Sequence, residues 1–140
     1  MLKVLELFSG TGSIGKCCKE LGYDVLSLDN ELPADINIDI MEWDYKIYPK
    51  DSFDIIWASP PCTTYSILQG SWIGKYKRVN GELKLFTEEQ RQADMNEADK
   101  IIKRTLDIID YFKPYWWFME NPKTGKLKDR EIMKNIPFYD

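Results

Sequence analysis

Apolar residues come in short runs closed by turn residues. Lys3–Phe8 (KVLELF) is apolar and strand-like, and it runs into the glycine-containing turn Ser9–Gly12. Ile14, Cys17, Cys18 and Leu21 then recur at helical spacing, which predicts a helix over residues 13–21 with Gly22 placed to end it. Tyr23–Leu28 reads as a second strand, ending at Asp29-Asn30. Residues 31–50 are less regular and are broken by Pro33 and Pro49. Within them Ile36 and Ile38 alternate with polar neighbours, the pattern of a short third strand near 36–38. Phe53–Ala58 (FDIIWA) predicts a buried strand that stops at Ser59-Pro60-Pro61.

Residues 67–86 are more polar. Tyr76–Val79 and Glu82–Phe86 flank Asn80-Gly81, a pair suited to the positive φ angles of a tight type I′ hairpin turn. Thr87 and Gln90 have the spacing of a capping box. Beyond them Ala98, Ile101, Ile102, Thr105, Leu106, Ile109 and Phe112 form one apolar helical stripe, which Pro114 closes. Tyr115–Met119 (YWWFM) predicts a last buried strand that delivers Glu120 at its carboxyl end. Strand, glycine turn, helix and strand, with further apolar strands behind, is the βαβ pattern of an α/β fold.

Length and composition narrow the class. With 140 residues, 44% of them hydrophobic and 30% charged, the chain suits one soluble domain over 1–140. The net charge of -4 is not the overall basic signature of many nucleic-acid binders and leaves only a local basic patch open. No histidine is present, so Ser-His or Cys-His catalysis within this chain and any His-ligated metal are excluded. The cysteines, Cys17, Cys18 and Cys62, have no CxxC spacing and indicate neither a zinc site nor a disulfide framework. A reducing, intracellular setting is expected, with no signal peptide and no membrane segment.

Two places carry candidate chemistry. A strand feeding a glycine turn and then a helix lets the backbone approach a nucleotide closely. Gly10 and Gly12 supply Gly-x-Gly without a third glycine, which on its own is equally a turn needing positive φ. Asp29 ends the second strand about 20 residues later, where a carboxylate can accept ribose hydroxyls; Glu31 competes for that role. Asp39 is placed to accept an adenine amino group, or is a solvated turn residue.

The second place is Ser59-Pro60-Pro61-Cys62, where two prolines fix the backbone beyond the carboxyl end of a strand. Ligands of open α/β sheets bind at that edge. A thiol there is a candidate nucleophile, whereas Cys17 and Cys18 read as small buried hydrophobes within the helix pattern. Glu120 is expected at the end of the neighbouring strand. A thiol and a carboxyl suit an electrophile that is protonated while it is attacked, such as a pyrimidine ring.

These residues resemble a known family. Phe8-x-Gly10-x-Gly12 is similar to the cofactor motif of the cytosine carbon-5 DNA methyltransferases. Pro61-Cys62-Thr63-Thr64-Tyr65-Ser66 resembles their nucleophile motif, and Phe118-Met119-Glu120-Asn121 their Glu-Asn motif, in the same order. The compact viral or phage type is the nearest likeness, through Ser-Pro-Pro-Cys and Glu-Asn-Pro. The resemblance implies a Rossmann-like methyltransferase fold, a mostly parallel sheet of about five strands in the order 3-2-1-4-5. It implies S-adenosyl-L-methionine as cofactor, held by Phe8, Ser9, Gly10, Thr11, Gly12, Ser13 and Ile14. Asp29 would take its ribose and Asp39 its adenine, with Asn30, Ile40 and Pro60 completing the set. Cys62 would attack the cytosine, Glu120 would engage it and Asn121 would orient the strand end. The expected partner is DNA with the target base flipped out.

The chain departs from the family pattern at Thr63, where glutamine is usual, and at Pro122, where valine is usual. The family's arginine motif, target-recognition region and last glycine motif do not follow Glu120. The expectation is therefore an incomplete catalytic half: a shortened relative, or a piece that works with a C-terminal region or a second polypeptide. Lys75, Lys77, Arg78 and Lys84 are expected in a loop over DNA, where Trp72 and Tyr76 could stack, or else on a plain surface hairpin. The basic run Lys123–Lys134 reads as ordinary surface. Two alternatives stay open: an amino-group methyltransferase of adenine or cytosine, and a non-catalytic cofactor-binding subunit.

Overall fold

The computed structural model describes residues 1–122 and 124–139. In chain order the elements are β1 (Lys3–Leu7), α1 (Ser13–Glu20), β2 (Asp24–Leu28), β3 (Ile55–Ala58), α2 (Ile67–Gly70), β4 (Tyr76–Val79), β5 (Glu82–Leu85), α3 (Glu88–Phe112) and β6 (Trp116–Met119). The chain divides into two compact units, each made of two stretches: Met1–Pro60 with Ile101–Glu120, and Pro61–Lys100 with the stretch from Asn121 on. Among the described residues no helix is long and apolar enough to cross a membrane.

The first unit is a four-stranded parallel sheet in the order β2-β1-β3-β6. Val4, Leu5, Glu6 and Leu7 of β1 are all buried, because a parallel inner strand is covered on both faces. The third strand expected near 36–38 is reduced to one parallel bridge, Leu28–Ile36. Its position outside β2 preserves the expected order. Asp35, rather than a strand partner, takes the Ser27 N–H at 2.9 Å and shortens the pairing.

The irregular stretch before β3 is pinned by side chains of α3 instead of by a ladder. Arg104 donates from Nε to the Ile40 carbonyl at 3.1 Å and from Nη2 to the Trp43 carbonyl at 2.7 Å. Tyr111 Oη donates to the Tyr48 carbonyl at 2.8 Å. Leu5, Leu7, Leu28 and Ile56 pack with Trp43, Tyr45, Phe53 and, from α3, Ile108, Ile109 and Phe112 as one core. Phe53 meets Phe112 edge-on, with ring centroids 4.9 Å apart.

The helix predicted over 13–21 forms and ends as a Schellman motif. Gly22 takes φ +84, its N–H reaches the Lys19 carbonyl, and the Tyr23 N–H reaches the Cys18 carbonyl. Its buried face is not the expected one, however. Cys17 and Leu21 are exposed and Cys18 is half-buried, whereas Gly15 is buried against Glu6. The helix approaches β1 through its glycine, and that close approach turns the cysteines away from the core.

β6 corrects a second expectation. YWWFM is not a buried strand: Trp116 and Phe118 are 54% and 49% exposed. β6 is an edge strand, so its side chains lack the flanking neighbour that buries those of β1 and β3.

In the second unit β4 and β5 form the expected hairpin, with Asn80 and Gly81 at φ 50 and 83. Thr87 Oγ1 accepts the Gln90 N–H at 3.1 Å, but the Gln90 side chain turns to Asp94, so only half of the capping box forms. Lys113, at φ 46, and Pro114 end α3 after its stretch in the first unit. The run from 123 to 134 is not plain surface: it forms two short 3-10 turns whose Leu127 and Met133 are buried. Lys123 itself lies outside the described residues.

Candidate active site

The glycine turn sits in the first unit, at the carboxyl end of β1. Phe8, Gly10 and Gly12 take φ 57, 56 and 78 in turn, a run of left-handed backbone that a phenylalanine adopts only under constraint. The constraint is visible. Ser9 N–H is held by the Leu28 carbonyl at 3.1 Å, and Gly10 N–H donates to Asp29 Oδ2 at 2.8 Å. Nothing lies within 4 Å of a Cβ built on Gly10 or Gly12, so the turn borders open space. Ser9 Oγ is buried without a partner.

Asp29 is thus brought to the turn, and it works first on the backbone. Oδ1 accepts the N–H groups of Glu31 and Leu32 at 2.9 and 2.8 Å. Burial would push its carboxyl up, but the three N–H donors Leu32, Glu31 and Gly10 together hold it below the usual carboxylate range. A carboxylate has about four lone-pair positions, so Oδ2, with one N–H, keeps room for a hydroxyl.

Ser13 and Ile14 open α1. Gly12, its N-cap, offers no side-chain cap, and the first turn carries no acidic residue, so the positive end of the helix faces outward unneutralised. Thr11 Oγ1 and Ser13 Oγ lie 3.1 Å apart. Asn30 and Glu31 are exposed beside the turn. Asp39 is exposed and its Oδ1 accepts the Met41 N–H at 2.8 Å, a turn arrangement, while Ile40 is buried beneath it.

β3 and β6 end together. Ala58 pairs with Met119, and the Glu120 N–H donates to the Ala58 carbonyl at 2.9 Å. The exposed Glu120 therefore leaves the sheet at the same edge as Ser59 and the buried Pro60 that follow β3.

Cys62 and Asn121 belong to the second unit. Cys62 is half-buried and begins the 3-10 turn Thr63–Tyr65, its carbonyl accepting the Tyr65 N–H at 3.1 Å. Both amide atoms of Asn121 are buried without partners.

The second unit also holds a cluster that no sequence signal announced. Tyr65, fully buried, donates from Oη to Asp99 Oδ1 at 2.8 Å. Arg130 grips the same carboxylate, with Nη2 at 2.8 Å and Nε at 3.1 Å from Oδ2, and its Nη2 also reaches Asn96 Oδ1 at 2.7 Å. The Lys126 N–H donates to the Tyr65 carbonyl at 2.7 Å. Burial, and then the Asp99 carboxylate, push the Tyr65 phenol far above its ordinary range. Three segments distant in sequence are tied to one carboxylate.

The chain matches no family model. It is, however, 35% identical over 141 residues to a protein of Frog virus 3 (isolate Goorha) that carries the name Probable DNA (cytosine-5)-methyltransferase. The alignment takes in 99% of this chain and 61% of that relative, so the chain spans less than two thirds of the relative's length. The parallel β2-β1-β3-β6 sheet, with α1 crossing from β1 to β2, is the Rossmann-like fold expected of such a methyltransferase.

Proposed function

We propose that this chain carries the cofactor-binding and nucleophile-bearing part of an enzyme that methylates carbon 5 of cytosine in DNA. The observation that carries the reading is the likeness to a viral protein of that name along 99% of the chain, a span that includes the glycine turn, Pro61-Cys62 and Glu120-Asn121. The target-recognition residues would come from a C-terminal region or a second polypeptide.

The turn fits S-adenosylmethionine. Gly10 and Gly12 leave their faces open, Ser9 Oγ is an unspent polar atom and the α1 N-terminus favours a carboxylate. Phe8, Thr11, Ser13 and Ile14 complete the wall. Asp29 Oδ2 would take a ribose hydroxyl, and Asp39 with Asn30, Ile40 and Pro60 would border the adenosine. When bound, that cofactor supplies an electrophilic methyl group on a sulfonium.

Cys62 as thiolate bonds to ring carbon 6, and the displaced electron pair moves toward ring nitrogen 3. There Glu120, as the acid, gives its proton and keeps charge from building up on the ring. Carbon 5 would then be nucleophilic toward a methyl group, whose bond to the sulfonium would break with the electron pair returning to sulfur as a neutral thioether. Loss of the carbon 5 proton to a water base, expulsion of the Cys62 thiolate and return of the nitrogen 3 proton to Glu120 restore the ring and the acid. Asn121 would hold the turn after Glu120.

The test is a covalent trap. An oligonucleotide bearing 5-fluorocytosine cannot lose its ring substituent as a proton, so the adduct persists. With the cofactor and a target-recognition polypeptide supplied, the expected result is an adduct that disappears in C62S and in E120Q. No Cys62-dependent adduct would overturn the carbon 5 reading. Calorimetric titration with the cofactor tests the turn separately, where D29A is expected to bind about tenfold more weakly or worse.

A further inference from the structure

The second unit holds a buried charge that the proposed methyl transfer leaves unused. Arg91, in the first turns of α3, is 9% exposed. Its Nε is buried without a partner. The guanidinium makes one hydrogen bond among the described residues, a long one of 3.5 Å from Nη2 to the Ser66 carbonyl. No carboxylate forms an ion pair with it among those residues. Gly70 lies against it: a Cβ there would stand 3.1 Å from Nη1, tighter than an ordinary contact. Burying a guanidinium without a counter-charge costs several kcal/mol, and a buried orphan donor calls for an ion or water that completes it.

Arg91 lines a cavity of about 240 Å³ with Thr63, Thr64, Gln69, Lys77, Phe86 and Asp94. Lys77 brings a second cation, with Nζ 3.3 Å from Gln69 Oε1 and 4.6 Å from the Phe86 ring centroid. Asp94 is the one acidic residue of this lining, and Gln90 Nε2 engages its Oδ1 at 2.9 Å. Two cations against one carboxylate leave the cavity net positive. A planar fork of donors and an ammonium in one lining with two threonines suit a tetrahedral oxyanion, which can accept from several donors at once.

We propose that Arg91, Lys77 and the Thr63 and Thr64 hydroxyls form a binding site for a phosphate-type oxyanion. The same chemistry is offered by a phosphodiester of a nucleic-acid backbone and by free inorganic phosphate. The site goes beyond the methyl-transfer reading and stands on the pocket alone. Thr63 and Thr64 directly follow Cys62, so a backbone phosphate held here would lie close in the chain to the proposed nucleophile.

The test uses the whole chain labelled with nitrogen-15, titrated with inorganic phosphate in exchange for chloride at constant ionic strength. The expected result is saturable shifts of the Thr63 and Thr64 amides and of the Arg91 Nε–H. In R91Q and in K77Q the apparent Kd is expected to rise about tenfold each. If R91Q fails to fold, K77Q and T64V carry the comparison, since Lys77 and Thr64 are only half-buried. A second arm adds a short oligonucleotide. If it competes with phosphate, and R91Q reduces the salt dependence of its binding, the ligand is the backbone. If the phosphate shifts persist unchanged, the ligand is the free anion. Absence of saturable shifts at these residues, or shifts that R91Q and K77Q leave unchanged, would overturn the site. The Cys62 adduct is measured separately and can fail or succeed without affecting this outcome.

Discussion

Two carboxylates of the first unit are shifted in opposite directions, and each has a readable origin. Asp29 is held low by the N–H groups that win over its burial, so its stabilising effect is present above the usual aspartate range and fades as pH falls through its lowered value. Glu6, 2% exposed beneath α1, is pushed up by burial, against the pull of the Gly15 N–H and of Lys19. Its native state holds the proton longer than the unfolded chain, so stability declines as pH rises from the usual glutamate range through the raised value. E6Q is expected to flatten that decline and D29N to flatten the acid-side loss, as measured by urea midpoints from pH 3 to 8. The Tyr65–Asp99–Arg130 cluster offers a sharper contrast. Y65F removes one hydrogen bond and is expected to cost about 1 kcal/mol. D99N leaves Arg130 largely buried without its charge partner and is expected to cost about 3 kcal/mol. Asp29 was legible because its place after a strand and a glycine turn is fixed by local pattern. Asp99, Arg130 and Arg91 were not, because their partners are 25 or more positions away and each looks like an ordinary surface charge on a helix or turn.

At the level of elements, local signals served best where one residue decides a backbone angle. Asn80-Gly81 and Gly22 lie where their positive φ is needed. Thr87 shows the reach of such reasoning. Its hydroxyl caps α3, but Gln90 bonds to Asp94 rather than returning to the cap. T87A is therefore expected to cost about 1 kcal/mol and Q90A well under half of that, in chemical denaturation at neutral pH. Patterns failed where tertiary context decides. YWWFM has the composition of an inner strand and stands at an edge, while Cys17 and Leu21 have helical spacing and stay exposed because Gly15 takes the contact with β1. G15A forces a methyl group into the Glu6 carboxylate. It is expected to lower the thermal midpoint although alanine is the better helix former, and E6A is expected to rescue it in part.

Over the whole chain, the fold class and strand order were legible because the βαβ pattern admits few arrangements. The division into two units was not, since nothing in composition changes at Pro60, Lys100 or Glu120. Both units draw on both sides of the β4–β5 hairpin. In the first, β3 pairs with β6; in the second, Tyr65 bonds to Asp99. The hairpin itself is exposed nearly throughout. It follows that the gene could be divided at Asn80-Gly81 and expressed as two polypeptides that find each other. The two pieces should co-purify and co-elute at the size of the uncut chain, with D99N weakening their reassembly.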